Sequence, residues 1–278
     1  MEAIKISLDD YLLSGGGANG ESYNHKTDPT VMLKLYFPGK IQQPYQEMQL
    51  ARKVYELGIP TPEPGEYVVT EDGRYGIRFR RILDKVSYSR ASGDHPEKVA
   101  QYAGDFAQLC HQLHAVHVDT TQFESVKERY GRLLSANPFF TPEEKEKLRR
   151  FIDSAPDTDI ALHGDLQYSN AIFTPDGQRY FIDLGDFCYG HPLFDLGMVY
   201  LCCCLSDEEF IRETFHMEKA TARKFWEHFA TAYFGESRSL QDIEAEIRPF
   251  AGLKTLIVER DAQRPMLNFH TALDSILK

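Results

Sequence analysis

The 278 residues carry 31 basic and 42 acidic side chains, a formal net charge of −11, which argues against a general nucleic-acid binder because phosphate recognition needs a basic face. A composition of 42% hydrophobic and 26% charged residues is that of an ordinary soluble globular protein, long enough for one large domain or two modest ones. The longest strongly apolar stretch, Met198 to Leu205, is far short of a membrane span, and Met1 to Asp10 lacks the apolar core of a signal peptide, so a cytoplasmic protein without membrane attachment is expected.

The front of the chain reads as strands broken by Gly and Pro. Gly15 to Gly20 is a predicted loop, and Thr30 to Phe37, rich in β-branched and aromatic residues, is a predicted strand. A helix from Tyr45 to Leu57 follows, closed by Gly58 with Pro60 just beyond. Tyr67 to Thr70 and Tyr75 to Leu83 are two further strands around the turn Glu71-Asp72-Gly73. The Ser- and Gly-containing stretch between Asp84 and Asp94 is the expected link, dividing the chain into residues 1–88 and 89–278.

Beyond it the apolar period becomes helical. Val99, Tyr102, Ala103, Phe106, Leu109, Cys110 and Leu113 mark a long helix with a buried face. Thr141-Pro-Glu-Glu144 is a capping box opening a helix toward Ile152, and Ser206-Asp-Glu-Glu209 is expected to open another in the same way. From Met217 onward the chain reads as mainly helical. Phe225, Trp226, Phe229, Tyr233 and Phe234 read as core, although exposed aromatic or acidic groups of this region could also serve an acceptor groove. His111, His114 and His117 recur every three residues on one helix, a spacing that drifts around the helix, so they read as structural or surface histidines. The cysteines, Cys110, Cys188 and the run Cys202 to Cys204, form no CxxC pair and read as reduced, buried, small apolar groups.

Between the helical regions lies Ile160-Ala-Leu-His-Gly-Asp-Leu-Gln-Tyr-Ser-Asn-Ala-Ile-Phe173, then the turn Pro175-Asp-Gly177 and Tyr180-Phe-Ile-Asp183. Two apolar strands around that turn predict a hairpin with Asp165, Asn170 and Asp183 at its open end. Two carboxylates and an amide oxygen are the hard ligands that a magnesium–triphosphate complex takes, and phosphoryl transfer also needs a carboxylate to orient the attacking hydroxyl.

His163-Gly164-Asp165, Asn170 five residues after the aspartate and Asp183 thirteen later resemble the motifs of the aminoglycoside phosphotransferase and choline-kinase-like superfamily. Gly190-His-Pro-Leu-Phe-Asp195 resembles its next motif. The resemblance implies a bilobal α+β fold of the protein-kinase type, with an antiparallel sheet and one main helix in front and a mainly helical rear lobe. It implies an ATP- and magnesium-dependent kinase acting on a hydroxyl of a small molecule, with no obligate protein partner. Asp165 would be catalytic, Asn170 and Asp183 magnesium ligands, and His163 and Asp195 structural supports. Gly15, Gly17 and Gly20 of a G-x-G-x-x-G run would cover the nucleotide's phosphates, since strand rather than a Rossmann helix follows.

Lys34, flanked by Leu33 and Leu35, could by itself face solvent; its place in a kinase-like order implies pairing with the phosphates. Glu47 shares the apolar helix face with Leu50, Ala51 and Val54, where a carboxylate needs a partner, and Lys34 is the natural one. Gly164 stands where protein kinases place an arginine and Gln167 where serine/threonine kinases place a lysine. Only eleven residues separate Asp183 from Asp195, too few for a phosphorylatable activation loop. Asp186 is either an auxiliary carboxylate or a local cap. The alternatives to the kinase are a nucleotide-binding pseudokinase and, less favoured, a transferase of AMP. The acceptor (aminoglycoside-, amino-alcohol- or sugar-like) is not specified by the chain.

Overall fold

The computed structural model describes residues 2–17, 19–40 and 42–278. The chain forms two compact units, Met1–Val86 with Ile172–Gly185, and Ser87–Ala171 with Asp186–Lys278. Its architecture is the expected α+β type.

In the first unit, β1 (Ile4–Ile6), β2 (Tyr11–Gly16), β3 (Gly20–His25) and β4 (Val31–Tyr36) lead into helix α1 (Gln42–Glu56), followed by β5 (Pro64–Thr70) and β6 (Tyr75–Arg80). The sheet order is β1-β5-β6-β4-β3-β2, with β1 parallel to β5 and the other pairs antiparallel. Strand alternation divides the core between the two faces. Leu33 and Leu35 pack with Tyr11, Tyr23 and Val68 on one side; Tyr36, Tyr67 and Ile77 meet Met48 of α1 on the other. Lys34 therefore shares the helix-covered face with Tyr36, not a solvent face.

The glycine segment is more regular than expected. β2 continues through Gly16 because Gly15 and Gly16 pair with Ser22 and Glu21 after a register shift past Leu13. Ala18, inside the predicted loop, lies outside the described residues.

The second unit begins in the stretch expected to be a link. After the two-residue strand β7 (Val86–Ser87), Tyr88–Asp94 is a helix, α2, because Ser87 Oγ accepts from Arg90 N as an N-cap and Tyr88, Ser89, Ala91 and Ser92 are buried. Then come α3 (Val99–His114), α4 (Val126–Ala136) and α5 (Pro142–Ser154), the last opened by the predicted capping box at Thr141 and Glu144. Short strands follow: β8 (Ala161–Leu162), β9 (Ala171–Phe173), β10 (Arg179–Phe181) and β11 (Cys188–Tyr189). β9 and β10 form the predicted hairpin, with Gly177 at φ +85° in its turn. From Ile172 this hairpin belongs to the first unit, where Phe181 N donates to Pro60 O at 2.8 Å.

α6 (Leu193–Tyr200) runs into a π-helical turn, Leu201–Leu205, then α7 (Glu208–Phe215), α8 (Lys219–Phe234), α9 (Leu240–Leu253), α10 (Thr255–Ala262), α11 (Leu267–His270) and α12 (Asp274–Leu277). The cap of α7 is Asp207, which accepts from Phe210 N, and not the expected Ser206; the Ser206 hydroxyl instead closes the π turn on Leu201 O. α8 lies along α3, burying Phe225, Trp226 and Phe229 completely, while Tyr233 and Phe234 are half-buried. Four of the five cysteines are buried and all are free thiols. Among the described residues no helix is long and apolar enough to cross a membrane.

Candidate active site

The first unit gathers three of the expected residues. Lys34 Nζ donates to Glu47 Oε1 at 2.6 Å and to Asp183 Oδ1 at 2.8 Å. Each partner is placed by a different element: Lys34 by the central strand β4, Glu47 by the sheet-facing side of α1, and Asp183 by the end of β10. Burial opposes the lysine's charge, but Asp183 and Glu47 outweigh it and raise its pKa, so the ammonium stays protonated. Glu47 borders the buried stripe of Met48, Ala51 and Val54; Leu50, expected on that stripe, is only half-buried. Asp183 sits at φ +61°, a left-handed conformation that aspartate tolerates better than most residues, and its carboxylate is 56% exposed.

The three candidate glycines differ. A side chain at Gly20 would strike the Leu35 carbonyl at 2.2 Å, so close strand packing requires that glycine, whereas Gly15 and Gly17 face open space. Only the latter two leave room for a ligand to approach the backbone.

The second unit gathers His163, Asp165, Asn170 and Asp195. Asp195 is fully buried, and its two oxygens accept from His163 N (2.7 Å) and Gly164 N (2.8 Å). His114 Nε2 lies 3.3 Å from the same carboxylate, and its Nδ1 is 2.8 Å from the Tyr233 hydroxyl. Of the two histidines of α3, the buried His114 braces Asp195, while the exposed His111 stacks on Tyr233 at 4.2 Å. Burial alone would raise the Asp195 pKa; His114 and the Lys254 ammonium bring it below the usual carboxylate range.

Asp165 Oδ2 accepts from Gln167 Nε2 at 2.8 Å and from Asn170 Nδ2 at 3.0 Å. Burial is the largest influence on Asp165 and raises its pKa, opposed by His163, Gln167 and Lys254. Asn170 commits its amide NH2 to Asp165, which leaves Oδ1 as its remaining acceptor atom. Asn170 belongs to the second unit and Asp183 to the first.

Gly164 has φ +84°, and a side chain there would meet the Asp186 carbonyl at 1.8 Å. That carbonyl also accepts from Arg129 of α4. The Asp186 carboxylate lies 3.7 Å from the same guanidinium. A cavity of about 580 Å³ opens beside Asp186, lined also by Glu124, Arg129, Arg132 and Glu259. Sequence reasoning missed two residues here, Arg129 and Lys254. Lys254 left a signal, a lone cation inside the apolar run Phe250-Ala-Gly-Leu-Lys-Thr-Leu-Ile257; Arg129 left none.

A strand-rich unit bearing a helix-locked lysine, and a helical unit bearing an aspartate loop pinned from below, define a phosphotransferase of the protein-kinase-like fold. A sequence profile of the "phosphotransferase enzyme family" matches residues 12–229; the chain belongs to that family and is a small-molecule kinase. No curated protein sequence matches it. Among solved structures it is similar to aminoglycoside phosphotransferase APH(4)-Ia, with 12% identity over 96% of this chain and 93% of that one and a TM-score of 0.66. It is also similar to APH(3'')-Id from Streptomyces rimosus in complex with ADP and streptomycin (18% identity, 88% and 92% coverage, TM-score 0.56). The gentamicin-bound APH(2")-IIa matches at 17% identity, 97% and 91% coverage and a TM-score of 0.58.

Proposed function

We propose that the chain transfers the γ-phosphoryl group of ATP, with magnesium, to a hydroxyl of a small molecule. The observation that carries this reading is the complete charged set: Lys34 held by Glu47 and Asp183 in one unit, and Asp165 tied to Asn170 on a loop anchored by Asp195 in the other. A pseudokinase ordinarily lacks one or more of these groups.

The donor chemistry suits magnesium. Asp183 offers an exposed carboxylate and Asn170 an amide oxygen, and among the described residues no group of three or more His, Cys, Asp or Glu could form an all-protein cage. A cation held by one or two protein oxygens, with phosphates and water completing its shell, is how magnesium is bound. Bound there, it would neutralise charge developing on the phosphates. Lys34 would pair with the phosphates, its direction fixed by Glu47, while the backbone at Gly15 and Gly17 would cover them. Asp165 would orient the acceptor hydroxyl and accept its proton, and His163 and Asp195 would hold the loop. Positioning and charge neutralisation therefore supply most of the catalysis.

The acceptor's character is suggested by the cavity beside Asp186. Its carboxylates are already met: Glu124 by Arg129 and Arg132, Asp186 by Arg129, and Glu259 by His270 at 2.6 Å. That balance favours a sugar-like or singly charged amino-alcohol acceptor over a polycationic aminoglycoside.

Magnesium-dependent ATP consumption, measured against a library of hydroxyl compounds with the phosphorylated product identified by mass spectrometry, tests the reading. Asp165→Ala should lower turnover by about three orders of magnitude while ATP affinity stays within a few-fold. Tight ATP binding without transfer to any acceptor would favour the pseudokinase, and an adenylylated product would show AMP transfer instead.

A further inference from the structure

Lys254 stands at the junction of α9 and α10 and is only 1% exposed. A buried ammonium is costly unless several groups compensate it. Its Nζ donates to the Gly164 carbonyl at 3.1 Å and lies 5.5 Å above the Tyr130 ring. The charges of Asp195 and Asp165 complete its surroundings.

The carbonyl it holds is that of the peptide bond joining Gly164 to Asp165. The other polar atoms along this stretch are held as well: Gly164 N by Asp195 Oδ1 at 2.8 Å, and Asp165 N by His163 Nδ1 at 3.3 Å. Gly164, at φ +84° and without a side chain, is the most conformationally free residue of the loop. Its two neighbouring peptide planes set the direction in which the Asp165 side chain leaves the backbone. Asp195 fixes the plane before Gly164, and the plane after it is held at Asp165 N by His163 Nδ1 and at the Gly164 carbonyl by Lys254.

We propose that Lys254 is a positioning residue, which locks the Gly164–Asp165 peptide plane and thereby aims the Asp165 carboxylate. The proposal rests on the reading of Asp165 as the group that orients the acceptor hydroxyl. Lys254 touches neither acceptor nor nucleotide; its effect passes through one backbone carbonyl. Misplacing a reacting group by about 1 Å costs on the order of a hundredfold in rate.

The test compares the full chain with Lys254→Met, which keeps the length and apolar stem of the side chain but removes donor and charge. Amide hydrogen exchange, followed by mass spectrometry, should accelerate about tenfold or more in a peptide covering residues 160–168 and stay unchanged in one covering α8. With any acceptor the wild type uses, kcat should fall about tenfold to a hundredfold while the KM for ATP stays within about twofold. In Lys254→Ala, millimolar propylammonium should restore both the exchange protection and kcat, and 1-propanol should restore neither. If Lys254→Met does not fold, Lys254→Arg, which retains charge and donors, takes its place, and near-wild-type exchange and kcat are the expected result.

Uniform acceleration across the chain, or unchanged exchange together with unchanged kcat, overturns the proposal. Local loosening of residues 160–168 in a protein whose wild type transfers phosphate to no acceptor leaves the hold of Lys254 on the loop standing and removes the kinase reading instead.

Discussion

Asp195→Asn removes one negative charge and no volume, so its effect can be worked from contacts alone. The wild-type carboxylate accepts from His163 N and Gly164 N, with His114 Nε2 close to Oδ2. An asparagine must present its NH2 to one of these sites. Placed at Oδ1, it leaves the Gly164 N–H buried and facing another donor; placed at Oδ2, it does the same to His163 and removes the partner of His114. The first arrangement is less costly, and an orphaned N–H together with weakening of charge-assisted bonds amounts to about 2–4 kcal/mol. For a unit of this size that corresponds to a fall in Tm on the order of 10 °C.

Calorimetric scans at pH 7 measure the fall directly, and the pH dependence supplies a second check. The folded-state pKa of Asp195 lies below its ordinary value. Its stabilisation is therefore fully present above the unfolded pKa of about 3.9 and disappears as pH falls through the lower folded value. The Tm values of wild type and variant should differ most above pH 5 and converge in strongly acid solution. Equal Tm values at pH 7, or a gap that persists at pH 2, would refute the assignment of Asp195 as an ionised anchor.

Gly164→Ala should be more severe, because a methyl group must enter a left-handed conformation and displace the Asp186 carbonyl; a loss above about 3 kcal/mol in urea unfolding is expected. Glu47→Gln should lower ATP turnover about tenfold or more with little change in Tm, since Lys34 keeps Asp183 but loses the charge on α1 that fixes its direction; steady-state kinetics at saturating acceptor reads this. The Asp165 pKa is raised mainly by burial, so the acid limb of the rate profile should lie above the ordinary aspartate range, and kcat/KM measured between pH 3 and 7 checks it.

The parts legible in the sequence were those in which local spacing encodes geometry. The capping box at Thr141 satisfies its own helix end, so four residues suffice to read it. Lys34 between two leucines and Glu47 beside an apolar stripe each pose a local problem whose solution is the other residue. The less legible parts depend on contacts far along the chain. Ser87 to Gly93 has the composition of a link, yet Gly93 packs against the His216 carbonyl and the segment is a helix. Lys254 reaches a carbonyl 90 residues away, a distance over which no periodicity carries information. The hairpin after Ile172 joins the first unit through Phe181 and Pro60, contacts that a strand-and-turn reading does not supply.

The glycine of His163-Gly164-Asp165 also bears on regulation. In protein kinases an arginine at that position can couple the catalytic aspartate to a phosphorylated loop. Here the left-handed backbone and the Asp186 carbonyl exclude any side chain, and the segment from Asp183 to Asp195 is occupied by a 3-10 turn, β11 and the start of α6. The loop is held instead by Asp195 and Lys254, groups buried in the helical unit and out of reach of a modifying enzyme. A phosphate-driven switch requires a second arrangement of the loop to select, and these buried contacts all favour the one observed.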